Sequence, residues 1–167
     1  MAMLGSWERS WGKDVSLVPM RLALGSAMVY HGTSKLRGEG PHQTGQMFES
    51  LGLKPGKFWG VATGVAETFA GCAAILGVMT RPAALAVLVT QAVAVARVHA
   101  PKGYNVMNGG MEYNVALMAI AAGLLLAGPG RVSVHEAIER AAEGRGAKRF
   151  WRRARPTALG RAVKLIK

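Results

Sequence analysis

Four stretches of this sequence are predominantly apolar. The first runs from about Ser16 to Ser34, with Ser16 as a candidate helix cap and Pro19 in the first turn. The second runs from about Phe58 to Met79 and carries one charge, Glu67. After a Thr80-Arg81-Pro82 break comes Ala83 to Val98, uncharged until Arg97. The fourth, Tyr113 to Gly130, has no charge and closes on Gly128-Pro129-Gly130, a strong helix stop. A membrane span takes about 17–25 mostly apolar residues, and a helix in a water-soluble bundle needs a polar face repeating near every 3.6 residues. Segments such as Ala83-Ala84-Leu85-Ala86-Val87-Leu88-Val89 offer no such face. A chain of 167 residues is too short to bury four such helices in its own interior. The expected fold is therefore all-α: a transmembrane four-helix bundle over 16–130, preceded by a cytoplasmic segment over 1–15.

Charge sets the expected orientation. The chain has 21 Lys and Arg against 9 Asp and Glu, a net +12, but residues 1–130 hold ten basic and six acidic groups. The remaining eleven basic residues lie in a basic amphipathic tail, 131–167. With both termini on one side, that side holds Arg9, Lys13, Arg81 and the tail, and the other holds Lys35, Arg37, Lys54, Lys57 and Lys102. The excess of Lys and Arg places both termini in the cytoplasm. The Leu36–Gly56 and Ala100–Gly110 loops then face outward. No signal-peptide pattern occurs in Met1–Val15. The single cysteine, Cys72, excludes an intramolecular disulfide and a cysteine-based zinc or iron–sulfur site within one chain; in its apolar run it reads as a small buried hydrophobe.

Helices in lipid gain little from hydrophobic contact with one another, so small residues that admit close backbones mark their packing faces. Gly60, Gly64, Glu67, Gly71 and Ala74 share one face of the second helix; Arg21, Gly25, Met28, Gly32 and Lys35 form a matching stripe on the first. These stripes are expected to meet. Glu67 lies near mid-span, where an unpaired carboxylate is costly, and Arg21 is its expected partner. Such a pair either fixes helix register or forms a proton- or ligand-handling site; in the latter reading Glu67, Arg21 and Glu112 are the candidate catalytic residues.

A second group gathers at the outer helix ends: His31 and Lys35, Arg97 and His99, Glu112 and Asn114. Coming from three helices at similar depth, they suit one outward-opening cavity that takes a quinone head group or exchanges protons. Its candidate binding residues are His31, His99 and Glu112. No spacing motif supports a metal site there. The alternative for the basic side chains is snorkelling at the interface. Gln91, in mid-helix, is expected to hydrogen-bond across helices.

In the tail, Ser133-Val134-His135-Glu136 reads as a capping box opening a short helix from Val134 to Ala142. Basic residues interleaved with Phe150 and Trp151 follow. Beside a span, Arg145–Lys167 is expected to lie on anionic lipid headgroups rather than to bind nucleic acid.

Taken in order, Arg21-Leu-Ala-Leu-Gly25, His31-Gly32-x-x-Lys35, Glu67 with Gly71, Leu76-Gly77 leading to Thr80-Arg81, His99, Gly110-x-Glu112 and Gly128-Pro129-Gly130-x-x-Ser133 resemble the DoxX family of small four-helix membrane proteins. The resemblance covers Arg21 to Ser133. His135 departs from it, standing where the family often has an acid. What the resemblance implies is a multi-pass protein of a bacterial or archaeal cytoplasmic membrane. Relatives are associated with a thiosulfate:quinone oxidoreductase and with membrane complexes that handle oxidative or thiol stress. The expected function is a quinone-linked redox subunit of a membrane oxidoreductase system. The alternative is a non-catalytic accessory subunit that anchors or assembles protein partners in a larger membrane complex.

Overall fold

The computed structural model of the protein describes residues 4–143, with side chains over 15–141. Arg145–Lys167, the expected headgroup-binding stretch, lies outside the described residues. Six α-helices occur within them: α1 (Leu4–Leu36), α2 (Gly40–Ser50), α3 (Gly56–Leu76), α4 (Thr80–Ala94), α5 (Glu112–Ala127) and α6 (Val134–Glu143). No strand is present among the described residues. The all-α expectation holds.

Element boundaries differ from the sequence reading in three places. Ser16 does not cap α1, which is continuous for 33 residues, roughly 50 Å. Pro19 lies inside it, removing one backbone donor without ending the helix. The expected outer loop between Leu36 and Gly56 contains α2, started by Pro41 in its first turn, where a missing N–H costs nothing. Beyond Ala94, α4 runs into a π-helical turn, Val95–His99, and a 3₁₀ turn, Ala100–Lys102.

The principal packing is α1 against α3, with α4 joining α3 to α5 and α2 lying across α1 and α3. The two small-residue stripes do meet. A Cβ on Gly71 would fall 2.7 Å from the carbonyl oxygen of Gly25, and one on Gly32 would fall 2.7 Å from the carbonyl oxygen of Gly64. Only glycine admits backbones this close. Gly60 is the exception in its stripe and faces Thr44 of α2 instead.

Size is sorted inside out on α3. Its buried positions are Gly56, Gly60, Gly64, Glu67, Ala70, Gly71, Ala73 and Ala74, whereas Phe58, Trp59, Val65, Phe69 and Leu76 are exposed. Cys72 is also exposed, correcting its reading as a buried hydrophobe: it sits on the outward side of the helix, not on the glycine face. Leu24, Met28, Val87, Leu117, Ala121 and Leu124 fill the centre of the core. Large apolar groups pointing outward suit helices whose surroundings are lipid. Among the described residues, two helices are long and apolar enough to cross a membrane, Gly56–Leu76 and Thr80–Lys102. The other two expected spans fall short of that measure. α5 is apolar but has 16 residues, and Pro19, Arg21 and His31 dilute the apolar run of α1.

Candidate functional site

Antiparallel packing of α1 on α3 decides which charges meet. With Gly25 against Gly71 and Gly32 against Gly64, Met28 is level with Thr68 and Arg21 with Ile75. Arg21 is therefore about 12 Å along the axis from Glu67, and the expected Arg21–Glu67 pair does not form. Glu67, 5% exposed, instead accepts from Lys35, whose Nζ lies 2.6 Å from Oε2. Lys35 reaches back along the groove on its flexible four-carbon stem. The same Nζ donates to the His31 carbonyl oxygen at 3.1 Å.

Arg21 has a different task at the opposite end of the bundle. Nε donates to the Ala74 carbonyl oxygen at 2.9 Å and Nη2 to that of Ile75 at 2.8 Å. Nη1 donates to the carbonyls of Pro129 at 2.9 Å and Val132 at 2.6 Å. These acceptors lie in the last turn of α3 and just beyond the end of α5, where carbonyls lack helical partners and the macrodipole is negative. Gly77, at φ +66°, ends α3 in the left-handed conformation. Its missing side chain leaves room for the guanidinium: a Cβ there would lie 2.7 Å from Cζ of Arg21. Four carbonyls on one buried side chain make Arg21 a structural clasp.

The ion pair lies beside a cavity of about 340 Å³ framed by α1, α2, α3, the α4–π-turn run and α5. His31, Lys35, Glu67, Arg97, His99 and Asn114 all line it. Gln91 and Asn114 are buried and joined across α4 and α5, Asn114 Nδ2 donating to Gln91 Oε1 at 2.8 Å. The Gln91 amide nitrogen has a thioether as its partner, Sδ of Met28 at 3.9 Å, a weak acceptor. His99 Nδ1 lies 2.7 Å from the Gly109 carbonyl oxygen. Because a carbonyl only accepts, Nδ1 carries the proton in that contact, and Nε2 is left as an acceptor when the ring is neutral. The His31 ring stands 5.9 Å from that of Tyr113.

Glu112 is not in the lining. It is exposed, and its Oε2 accepts from the Val106 backbone N–H at 3.1 Å. As the first residue of α5 it sits at the positive end of that helix and ties down the short 3₁₀ turn at Val106–Asn108. Its place in the expected site is taken by apolar groups. Met47 and Phe48 of α2, with Leu51 and Leu53 after it, form one wall; sequence reasoning missed them all, having read this segment as a loop. Spacing held the signal, since Met47, Phe48 and Leu51 fall at i, i+1 and i+4. The π turn supplies Arg97, Val98 and His99 to the rim. Its wider winding re-aims these side chains, a frequent device at functional sites. No group of three or more His, Cys, Asp or Glu suited to a metal occurs among the described residues.

The model of the DoxX family matches residues 16–100, the span that supplies α1 to α4 and the Lys35–Glu67 pair. The chain belongs to the DoxX family. It is also 28% identical over 165 residues to the uncharacterized membrane protein Rv3486 of Mycobacterium tuberculosis, covering 89% of this chain and 100% of that one. No solved structure matches. Family and relative together make this DoxX protein a membrane protein, in keeping with its outward-facing apolar residues. Asn114 and Tyr113, which complete the cavity, lie beyond the segment that the DoxX model covers.

Proposed function

We propose that this DoxX protein binds a quinone head group in the cavity beside Lys35 and Glu67 and serves as the quinone-linked subunit of a membrane oxidoreductase system. α1, α3, α4 and α5 form the transmembrane bundle, with both termini in the cytoplasm. The observation that carries this reading is the Lys35–Glu67 pair at one side of a cavity whose α2 wall, Met47, Phe48, Leu51 and Leu53, is apolar. Quinones are amphipathic, with carbonyl oxygens on a flat ring and an apolar tail. Lys35 Nζ and the weakly partnered Gln91 amide offer donors to a carbonyl oxygen, while the α2 wall offers apolar contact. The volume is at the low end of the roughly 300–1,000 Å³ of small-molecule sites, enough for a head group. Reduction of a quinone takes two electrons and two protons. A donor subunit of the system supplies the electrons; Glu67 and His31 hold and pass the protons at the cavity edge.

Titration of the purified protein in detergent with a short-tailed quinone tests this. Glu67→Gln removes the charge that holds the Lys35 ammonium and is expected to weaken binding by about tenfold or more, the scale of one charge-assisted hydrogen bond. Unchanged affinity in both Glu67→Gln and Lys35→Met, with the fold intact by circular dichroism, rules the site out.

A further inference from the structure

Helix α6 is turned the wrong way round for water. Val134, Ala137, Ile138 and Ala141 recur at i, i+3, i+4 and i+7, one continuous stripe, and every one of them is exposed. Ile138 is 56% exposed and Val134 40%. The polar side faces the protein: His135 is 6% exposed, and Glu136 and Glu139 are half-buried. A helix on a water-washed surface has the opposite arrangement.

The orientation is imposed by the fold and is not left to a free tail. Gly128 and Gly130, at φ +80° and +73°, turn the chain out of α5. Arg21 then grips the Pro129 and Val132 carbonyls, and Ser133 Oγ accepts from the Glu136 N–H at 3.2 Å to start the helix. Gly77 faces Ser133 so closely that a Cβ there would fall 2.6 Å from Ser133 Cβ. The helix start is thus fixed on the ends of α3 and α5.

We infer that the α6 stripe is seated in the headgroup–acyl boundary of an anionic bilayer, so that α6 is an interfacial helix rigidly attached to the bundle. Two observations select lipid over a protein partner. The bundle from which α6 springs already turns large apolar side chains outward, with Leu126, at the end of α5, 81% exposed. Immediately after α6, residues 144–167 carry nine Lys or Arg and no acid, which draws this part of the chain to anionic headgroups at about 1 kcal/mol per basic residue near the surface. Apolar side chains on one face beside a dense run of positive charge are the two components of interfacial attachment.

The test uses the full chain with Cys72→Ser, reconstituted in vesicles of phosphatidylcholine and phosphatidylglycerol. A nitroxide is attached at Ile138→Cys or, as the reference on the same helix, at exposed Arg140→Cys. Dissolved oxygen, which concentrates in lipid, should collide more often with the label at 138 than with that at 140; a water-soluble nickel chelate should show the reverse. A label at Val134→Cys should behave as at 138. Equal nickel accessibility at 138 and 140 would mean the stripe faces water and overturns the proposal. Shielding of 138 from both reagents would mean that protein covers it, which overturns it equally. In vesicles of phosphatidylcholine alone, nickel accessibility at 138 should rise; no change would refute the requirement for anionic lipid. Loss of quinone binding plays no part in any of these readings, so they stand or fall separately from the cavity.

Discussion

Arg21 and Lys35 show how much a single cation's surroundings determine its work. Both lie on the glycine face of α1, two turns to either side of Met28, yet one is spent on backbone carbonyls and the other on a carboxylate. Replacing Arg21 by Met would remove four charge-assisted hydrogen bonds to backbone carbonyls, of which the Ala74 carbonyl would keep the Gly77 N–H. At about 1.5–3 kcal/mol for a hydrogen bond to a charged group, and with strong non-additivity among them, the loss should exceed about 3 kcal/mol and appear as a large fall in the thermal midpoint in detergent. Arg21→Lys should recover only a minor part, because an ammonium cannot reach two helix ends from one fork. For the other cation a double-mutant cycle is the informative measurement. Lys35→Met or Glu67→Leu alone leaves a buried charge without its partner and should cost about 3–5 kcal/mol, whereas the double replacement should be much milder. Additive losses would mean that the 2.6 Å contact contributes nothing to the folded state.

At the level of helices, the sequence was informative wherever one face repeated. Both glycine stripes were visible, as were the α3–α4 break and the Ser133 cap, because each rests on local spacing. The partner of Glu67 depends on register, and an estimate of depth from helix ends misplaced it. Gly25 and Gly32 are seven positions apart, as are Gly64 and Gly71; matching glycine to glycine in antiparallel order sets Met28 level with Thr68, next to Glu67, and carries Arg21 two turns further on, to Ile75. α2 was missed for another reason. Its polar Gly40–Ser50 composition, with His42, Gln43 and Gln46, resembles a loop until a scaffold exists for Met47 and Phe48 to pack on. The Val95–His99 π turn has no sequence signature beyond Pro101 shortly after it. Close approach on the α1–α3 face gives a sharp expectation: Gly71→Ala pushes a Cβ against the Gly25 carbonyl and the Val29 N–H, each 2.7 Å away. Backbone cannot yield as a side-chain tip does, so overpacking should cost about 1–3 kcal/mol. The same change should loosen the register that brings Lys35 to Glu67, and quinone affinity should fall with it.

Across the whole molecule, the two ends of the bundle divide the labour. One end carries the Arg21 clasp, the exposed Arg81 in the first turn of α4, and α6. At the other end lie α2, the π turn, Lys102 and the cavity. In the topology proposed above, the nine Lys and Arg of 144–167 join Arg81 on the clasp side, and positive residues are retained on the cytoplasmic side of a membrane. The cavity would then open toward the non-cytoplasmic face, so that a partner delivering electrons to it would act from that side or from within the bilayer. Introduced cysteines decide the matter. In a Cys72→Ser background, Lys102→Cys should react in intact cells with a membrane-impermeant maleimide, while Arg81→Cys should react only after the membrane is opened. Because the N- and C-terminal helices of the bundle are both tied to the clasp end by Arg21, one reversed result reverses the whole molecule: Arg81→Cys labelled from outside would put the cavity mouth in the cytoplasm and make a soluble cytoplasmic reductant the natural donor.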